Sequence, residues 1–347
     1  TPQPTPLPTK NPTPQQAQSV VEMTSDSDLV VPGTFKSWCQ LFRISNVFTA
    51  FADILMGYSV AAGVVEASDT IPILCMLLAS GMLYSAGMVL NDVFDFGVDK
   101  VERPGRPLPS GAVSPGHARA VGFGLLLVGI GLTTAPSLLE DGQFFSRSLV
   151  IGAIIAICVI AYDAVLKKTP LAPFAMGSCR VFNVLLGMTL APAALESVLG
   201  GFSQGQLWVA IGMGTYVTGI TWFARTESRT SHRGMLSFGA ALMMLGIMML
   251  PYGVYVSTEL PNSVMAKNTT VIWMLFGSIA GTILYRCVNA ITDPSPRNVQ
   301  IAIIHCLRSL IVINASVILT VGIPVLGVVC VLMMVPMLIV GKWIRGT

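Results

Sequence analysis

A cluster of acidic and amide residues in the first third of the chain carries the side chains that could bind a metal ion and phosphate. Asn91, Asp95, Asp99 and Arg103 are spaced four residues apart, so a helix would place three oxygen ligands and one cation on a single face. Asp92 flanks the same stripe. These oxygens beside a guanidinium suit a hard cation such as Mg²⁺ that holds a phosphate-bearing substrate. The alternative is a solvated amphipathic loop at a helix end.

Two arginines follow the acidic stripe in a proline-rich segment. Pro104, Pro107 and Pro109 would end the helix and fix the backbone around Arg103 and Arg106. A guanidinium held in this way can fork onto two phosphate oxygens, which a lysine ammonium cannot do. The sequence therefore predicts that both arginines bind substrate phosphates. The alternative is that they anchor the loop at the positive face of a membrane.

The elements that must position these residues are membrane-spanning helices. Hydrophobic residues make up 53% of the sequence and charged residues only 11%, and long uncharged runs recur along the chain. This composition predicts an all-α polytopic bundle in a lipid bilayer, with no nucleic-acid partner. The seven cysteines form no Cys-x-x-Cys pair, so the sequence predicts neither a zinc site nor a disulfide framework.

The uncharged runs predict ten spans, with nine as the alternative. The run from Ser309 to Gly341 would be about 50 Å long as a helix, too long for one crossing of a hydrocarbon core of about 30 Å. We therefore expect a break at Gly322-Ile323-Pro324. The predicted spans are Gln40–Val65, Ile71–Asn91, Pro115–Leu138, Ser146–Tyr162, Leu171–Leu195, Gln204–Arg225, Ser231–Val256, Asn268–Ile291, Val299–Thr320 and Val325–Trp343.

The two ends of this layout differ in composition and charge. Thr1–Gln18 is rich in Pro, Thr and Gln, so residues 1–34 are predicted to be a disordered tail and residues 35–347 the membrane domain. Basic residues concentrate in the loops that follow the even-numbered predicted spans. The positive-inside rule therefore predicts a cytoplasmic N-terminus and cytoplasmic acidic loops, in a bacterial inner membrane or an equivalent organelle membrane.

The acidic run also resembles the signature of a known family. Asn-Asp-x-x-Asp-x-x-x-Asp from Asn91, followed by Arg103-x-x-Arg106-Pro-Leu-x-x-Gly111, is similar to the first motif of the UbiA-type membrane prenyltransferases. The resemblance implies that family's all-helical fold from about residue 36 to the C-terminus. It implies Mg²⁺ and the diphosphate of a polyprenyl donor at the acidic loop, and an aromatic or other lipophilic acceptor. The implied metal ligands are Asn91, Asp92, Asp95 and Asp99, with Asp95 and Asp99 catalytic.

A second match lies at the end of the predicted fourth span. Tyr162-Asp163-x-x-x-Lys167-Lys168 resembles the family's tyrosine and basic residues there. The resemblance implies that Lys167 neutralises diphosphate oxygens and that Tyr162 offers its ring or its hydroxyl to an allylic cation. The alternative is an interfacial tyrosine beside snorkelling lysines.

The loop after the predicted sixth span departs from the family pattern. Family members commonly carry a second Asp-rich motif there, whereas this chain has Ala224-Arg-Thr-Glu-Ser-Arg229, in which Glu227 is the single acidic residue. It resembles a less characterised branch with an Ala-Arg-Thr-Glu sequence. Two interpretations stay open. Either Glu227 completes the metal site, or Arg225 and Arg229 supply part of the positive charge and contact the substrate.

Polar residues inside the predicted apolar spans indicate a substrate cavity. Arg180 and Asn183 lie three residues apart in the fifth predicted span. An intramembrane arginine is costly unless it faces a cavity or a partner, so we expect a substrate contact, with a structural tie to another span as the alternative. Arg43 and Asn46 on the first span resemble a polar pair of the family, which implies that Asn46 lines the cavity.

With the resemblance, these features predict a Mg²⁺-dependent intramembrane transferase that moves a (poly)prenyl group from an allylic diphosphate to a lipophilic acceptor and releases diphosphate. One alternative is a transporter or channel with a cytoplasmic-side cation site. That function would place charges at mid-membrane depth and would give the arginine-proline segment no role. A CDP-alcohol phosphotransferase is disfavoured because its Asp-Gly-x-x-Ala-Arg pattern is absent from the sequence.

Overall fold

The structure is a computed structural model that describes residues 34–140, 142–225, 232–257, 264 and 268–345. In these residues the regular secondary structure is helical, and one isolated bridge joins Leu199 to Phe202. The predicted tail lies outside the described residues except for Thr34, where the first helix begins. The prediction of an all-α fold is confirmed.

The helices are numbered here in chain order. Their bounds are α1 Thr34–Leu41, α2 Ile44–Ala62, α3 Thr70–Phe94, α4 Phe96–Glu102, α5 Pro115–Leu132, α6 Ala135–Glu140, α7 Arg147–Ala164, α8 Ala172–Met188, α9 Gln204–Ala224, α10 Arg233–Tyr255, α11 Thr269–Thr292, α12 Pro296–Val321, α13 Pro324–Leu332 and α14 Met334–Arg345. Two short 3-10 helices, Ala67–Asp69 and Leu166–Lys168, lie before α3 and after α7.

Nine helical segments of the described chain are long and apolar enough to cross a membrane. The remaining predicted span, Leu171–Leu195, corresponds to α8, which has 17 residues and is therefore about 26 Å long. It packs against α2, α7 and α9. The prediction of nine to ten transmembrane helices is confirmed.

The predicted break in the last apolar run is also present. α12 ends at Val321, and Gly322 follows with φ 102°, a left-handed conformation that costs glycine little because it has no Cβ. α13 then begins at Pro324, whose missing N–H is tolerated at the first position of a helix. The chain therefore reverses direction and uses its final 21 apolar residues as a separate segment.

Helices α9 and α10 approach each other through pairs of glycines. The glycines recur every seven residues on both helices, and a Cβ at any of them would lie 2.6–3.0 Å from the carbonyl oxygen of the partner glycine. Such a spacing brings two helix backbones into direct contact, as small residues do in membrane bundles. The pairs are Gly205 with Gly253, Gly212 with Gly246, and Gly219 with Gly239.

This contact makes a prediction about stability. We expect Gly246→Ala to lower the free energy of unfolding by about 1–3 kcal/mol, because the new Cβ would lie 2.5 Å from the backbone N of Tyr216 and 2.6 Å from the carbonyl of Gly212. The matched control is Gly277→Ala on α11, where a Cβ would meet nothing within 4 Å. Thermal unfolding of the two detergent-solubilised variants measures the difference. Equal stability of the two would contradict the close contact.

A second close approach joins α2 to α8 and has a direct consequence for the polar residues. A Cβ at Gly57 would clash with the carbonyl of Val184, and a Cβ at Gly187 would clash with the carbonyl of Ile54. The two backbones are therefore in contact in the second half of α2 and near the C-terminal end of α8. This contact brings Asp53 of α2 within reach of α8.

A small apolar cluster holds the proline-rich loop after α4 in place. Leu108 and Val113 of this loop are buried, at 2% and 4% exposure, against Leu41 of α1, Val89 of α3 and Ala118 of α5. The loop carrying Arg103 and Arg106 is thereby fixed against the polar end of the bundle.

Candidate active site

The acidic stripe lies where α3 meets α4. Successive members are joined by backbone hydrogen bonds: the N–H of Asp95 donates to Asn91 at 3.0 Å, that of Asp99 to Asp95 at 2.9 Å, and that of Arg103 to Asp99 at 2.8 Å. Asp95 itself lies between the two helices with a right-handed helical conformation. The four side chains therefore remain one turn apart, although the helix is interrupted.

Lys167 joins this stripe to the end of α7. Its Nζ forms an ion pair with Oδ2 of Asp95 and donates to Oδ1 of Asn91 at 3.1 Å. The amide nitrogen of Asn91 in turn donates to Oδ1 of Asp163 at 2.8 Å. Because Asn91 uses both ends of its amide, its rotamer is fixed and its oxygen faces the lysine.

Arg106 closes the other side of the cluster. Its Nη1 lies 2.6 Å from Oδ2 of Asp99 and 3.4 Å from Oδ1 of Asp92. Arg43, from the start of α2, places Nη2 3.5 Å from the same Asp92 oxygen. Arg103 is more exposed and lies 3.8 Å from Oδ1 of Asp99. Each carboxylate of the stripe is thus paired with a basic side chain.

The charges of this carboxylate cluster are balanced. Asp92 and Asp99 are buried, at 7% and 3% exposure, so each needs a counter-charge to remain ionised at low cost. The four acidic side chains and four basic side chains that meet here are Asp92, Asp95, Asp99, Asp163, Arg43, Arg103, Arg106 and Lys167. A substrate that brings phosphate charge and a cation together would preserve this balance.

Tyr162 lies beside the cluster, near the end of α7. It is half-buried and within electrostatic range of Asp163, Asp95 and Arg43. In the part of the chain that the structure describes, its hydroxyl has no hydrogen-bond partner. The ring and hydroxyl are therefore free to contact a ligand, and the proposed role of Tyr162 near an allylic cation stays a prediction.

Arg225 ends α9 and lies away from the carboxylate cluster. Its guanidinium donates to the carbonyls of Thr169 and Pro170 at 3.4 and 3.5 Å and stacks near the ring of Trp222. It therefore anchors the loop that follows Lys168. Glu227 and Arg229 lie outside the described residues, so the choice between the two interpretations of this loop stays open.

Arg180 and Asn183 form an intramembrane network with α2. Nη1 of Arg180 donates to Oδ2 of Asp53 at 2.7 Å and Nη2 donates to Oγ1 of Thr49 at 2.8 Å. The Asn183 amide donates to the same Asp53 oxygen at 3.1 Å and accepts from Ser80 Oγ at 2.7 Å. These contacts are the structural tie named above as the alternative. A direct substrate contact by either residue stays a prediction.

Asp53 is the centre of this network and is fully buried. Its second oxygen, Oδ1, accepts from the amide of Asn314 on α12 at 3.1 Å. One carboxylate therefore ties three helices together. Asp53 and Asn314 were not predicted as site residues, although an acid within an apolar span is itself a signal that an intramembrane partner exists. Asp163 lies in the Tyr162–Lys168 motif but had no predicted role.

Asn46 lines a cavity of about 300 Å³ between α2, α12 and α14. Arg43 lines the same cavity and also contacts Asp92, so the cavity adjoins the carboxylate cluster. The predicted role of Asn46 in binding substrate is not tested by this placement alone.

The oxygen donors suit Mg²⁺ chemically, yet they are not assembled as a metal site. Asp92, Asp95 and Asp99 supply hard carboxylate oxygens and Asn91 an amide oxygen, the ligand types that Mg²⁺ prefers. Among the described residues, no group of three or more His, Cys, Asp or Glu is placed to hold an ion. The carboxylates form ion pairs with basic side chains instead, so the role of these residues as metal ligands stays a prediction.

Comparison with known proteins identifies relatives of this chain. It is 36% identical over 175 residues to a digeranylgeranylglyceryl phosphate synthase of Saccharolobus solfataricus, a match that covers 50% of this chain and 55% of the relative. The chain thus spans about half the length of the curated relatives it matches.

Solved structures share the fold. The apo structure of a UbiA homolog from Aeropyrum pernix K1 matches with a TM-score of 0.59 at 16% identity, covering 80% of this chain and 98% of that one. A UbiA homolog from Archaeoglobus fulgidus, bound to GPP and Mg²⁺, matches with a TM-score of 0.55 at 11% identity, covering 78% and 98%.

The family itself is shown by the sequence. The model of the UbiA prenyltransferase family matches residues 50–229, just over half of the chain, which includes the acidic stripe and Lys167. With its apolar helices, the protein is an integral multi-pass membrane protein. The chain belongs to the UbiA prenyltransferase family.

Proposed function

We propose that this protein is a Mg²⁺-dependent intramembrane prenyltransferase, which moves a (poly)prenyl group from an allylic diphosphate to a lipophilic acceptor and releases diphosphate. The observation that carries the proposal is the carboxylate cluster at the polar end of an apolar bundle, where Asp92, Asp95 and Asp99 meet Arg43, Arg106 and Lys167. Such a site can hold a charged diphosphate while the isoprenoid tail remains among apolar helices.

The relatives support both substrates of this reaction. The Archaeoglobus fulgidus homolog is bound to GPP, an allylic diphosphate, and to Mg²⁺. The curated relatives are named digeranylgeranylglyceryl phosphate synthases, which favours a glyceryl phosphate lipid over an aromatic ring as the acceptor.

The residues that would hold Mg²⁺ are Asn91, Asp92, Asp95 and Asp99, with Glu227 as a further candidate. When bound, the ion would supply Lewis-acid charge that offsets the negative charge of diphosphate. In the structure the carboxylates are paired with Arg106 and Lys167. We therefore expect these basic side chains to exchange carboxylate partners for diphosphate oxygens when substrate binds.

The chemical step needs charge stabilisation rather than a protein nucleophile. The bond between the allylic carbon and the diphosphate oxygen breaks, and its electron pair leaves with the oxygen. Lys167, Arg106 and the more exposed Arg103 stabilise the developing negative charge as preorganised donors. The acceptor then forms a bond to the allylic carbon and loses a proton. Tyr162 would stabilise the cation through its ring.

Orientation follows from charge. The carboxylate cluster, the Leu166–Lys168 turn and Arg225 lie at the ends of α3, α7 and α9, the ends at which basic residues are concentrated. The positive-inside rule favours a cytoplasmic position for this end of the bundle. The diphosphate leaving group would therefore be released to the cytoplasmic side.

The transporter alternative predicts charged residues at mid-membrane depth, and Asp53 with Arg180 meets that expectation. However, both Asp53 oxygens already accept hydrogen bonds from Arg180, Asn183 and Asn314. The pair is neutral and both Asp53 oxygens are engaged by protein donors, one of them a guanidinium, so the carboxylate is a poor site for a transported cation. Family membership favours the prenyltransferase.

The proposal is tested by supplying purified protein with radiolabelled allylic diphosphates and lipid acceptors, with and without EDTA. We expect labelled lipid product in the presence of Mg²⁺ and its loss with EDTA. Lys167→Met should lower the rate about 100-fold or more, because it removes a preorganised cation from the leaving oxygens. Lys168→Met changes the adjacent, exposed lysine and should alter the rate less than about twofold.

Three outcomes would contradict the assignment. They are full activity in the presence of EDTA, equal loss of activity in the two lysine variants, and the absence of labelled product with every acceptor offered.

A further inference from the structure

One arginine of the membrane bundle has no role in the carboxylate cluster. Arg308 is the thirteenth residue of α12, so it lies about 18 Å along the helix from its start. It is half-buried, and it forms no hydrogen bond or ion pair with any residue that the structure describes. An intramembrane arginine without a protein partner is costly unless it faces a polar ligand or water.

Arg308 lines the cavity of about 300 Å³ that was described at Asn46. Arg43 lines the same cavity from the start of α2, with Gln40 and Ser45 as further polar residues. Two arginines therefore line one cavity, and no carboxylate is among its lining residues. This polar side of the cavity suits an anion, above all a phosphate, to which two arginines can donate bidentate hydrogen bonds.

The other half of this cavity is apolar. Its remaining side chains are Ile304 and Leu307 of α12 and Met337 and Ile344 of α14. These residues are unsuited to a free inorganic anion, which would lose its water without compensation on that side. They suit an alkyl chain attached to the anionic group. The lining thus fits an amphiphile, with its charge against the arginines and its chain along the apolar helices.

Arg43 connects this cavity to the carboxylate cluster. Its Nη2 lies 3.5 Å from Oδ1 of Asp92, and the same residue lines the cavity. Its backbone has φ 47° and ψ 46°, and it is the one non-glycine residue of the described chain with positive φ. This uncommon conformation persists only where the surroundings fix it, and such residues cluster at ligand sites.

From these contacts we infer that the Arg43–Arg308 cavity is the binding site of an anionic, phosphate-bearing lipid acceptor. The inference rests on the proposed function and assigns a binding site to its acceptor. The anionic headgroup lies against Arg308 and Arg43, and the nucleophilic group beside it faces the donor diphosphate held near Asp92. Asn46 and Ser45 donate or accept hydrogen bonds with the rest of the headgroup.

Direct binding tests the inference without donor or Mg²⁺. The probe is radiolabelled hexadecyl phosphate, added to purified protein in neutral detergent. We expect saturable binding to the wild type and at least about tenfold weaker binding to Arg308→Gln. Arg308→Lys should have an intermediate affinity, because it keeps the positive charge but loses the bidentate geometry of the guanidinium. Arg119→Gln removes an exposed guanidinium of α5 and should bind as the wild type does.

Competitors separate the chemical sources of this ligand. Hexadecanol lacks the charge, while glycerol 3-phosphate and inorganic phosphate lack the chain, so each should compete at least tenfold more weakly than unlabelled hexadecyl phosphate. Equal competition by hexadecanol, glycerol 3-phosphate or inorganic phosphate would overturn the inference. So would equal affinity of the wild type and both Arg308 variants, each checked for folding by its thermal unfolding temperature.

Kinetics separate this inference from the proposed function. In the transfer assay, Arg308→Gln should raise KM for a phosphate-bearing acceptor about tenfold and leave KM for the allylic diphosphate unchanged. If the Arg308-dependent binding is found but no prenyl transfer occurs, the lipid site stands and the proposed function fails. If transfer occurs and Arg308→Gln changes neither binding nor the acceptor KM, the inference fails and the proposed function stands.

Discussion

We expect Asp95→Ala to lower the proposed prenyl transfer about 100- to 1,000-fold while the protein remains folded. The substitution removes the carboxylate that pairs with Lys167 and one proposed oxygen donor for Mg²⁺, and the loss of a single preorganised group in an active site typically has an effect of this size. The Asp95 and Lys167 side chains are only 24% and 26% exposed, so some stability is lost, but Lys167 keeps its hydrogen bond to Asn91 at 3.1 Å and the variant should still fold.

The measurement is the initial rate of labelled product formation at saturating Mg²⁺, with thermal unfolding as the folding check. Glu102→Ala is the matched control, because Glu102 is an exposed acid at the end of α4. It should retain wild-type activity. If Asp95→Ala is fully active, or if Glu102→Ala loses as much activity, the cluster is not the catalytic centre.

The second large effect concerns stability and lies deep in the bundle. Asp53→Asn leaves the Arg180 guanidinium without its counter-charge in a buried site, and removing one partner of a buried pair typically costs about 3–5 kcal/mol. We expect a loss of this size in the free energy of unfolding. Equilibrium unfolding in mixed detergent micelles measures it.

A double variant distinguishes charge imbalance from lost shape. Asp53→Asn with Arg180→Gln removes both charges and keeps amide groups in both places, so it should be more stable than Asp53→Asn alone. Glu140→Gln, at an exposed end of α6, should leave the unfolding free energy unchanged. A double variant less stable than the single one would show that the two charges do not compensate each other.

The contact between α9 and α10 was only partly predictable from the amino-acid sequence. The heptad spacing of Gly205, Gly212 and Gly219 is visible in the sequence, and so is the equal spacing on α10. Spacing alone does not say which helix each stripe meets, because every neighbour in a membrane is equally apolar. The structure shows that the two stripes face each other in antiparallel register.

The polar contacts between distant helices were harder to predict. Lys167 pairs with an acid 72 positions earlier, and Asn314 donates to an acid 261 positions earlier. A polar residue in an apolar span signals that it has a partner, but the partner depends on which helices pack together and at what depth. For this reason the sequence could not distinguish a substrate contact from a structural tie for Arg180 and Asn183. The structure shows that both side chains donate hydrogen bonds to Asp53.

Features that depend on short separations along the chain were predictable from the amino-acid sequence: the spacing of Asn91, Asp95 and Asp99, the apolar spans, and the break at Gly322 and Pro324. Helix geometry and hydrophobicity act within one or two turns, so these features need no knowledge of the fold. Two features required the packed fold: basic side chains pair with the acidic stripe, and Arg43 and Arg308 line one cavity. Charges in a membrane are stabilised by whatever packing brings beside them, and packing joins residues that are far apart in the chain.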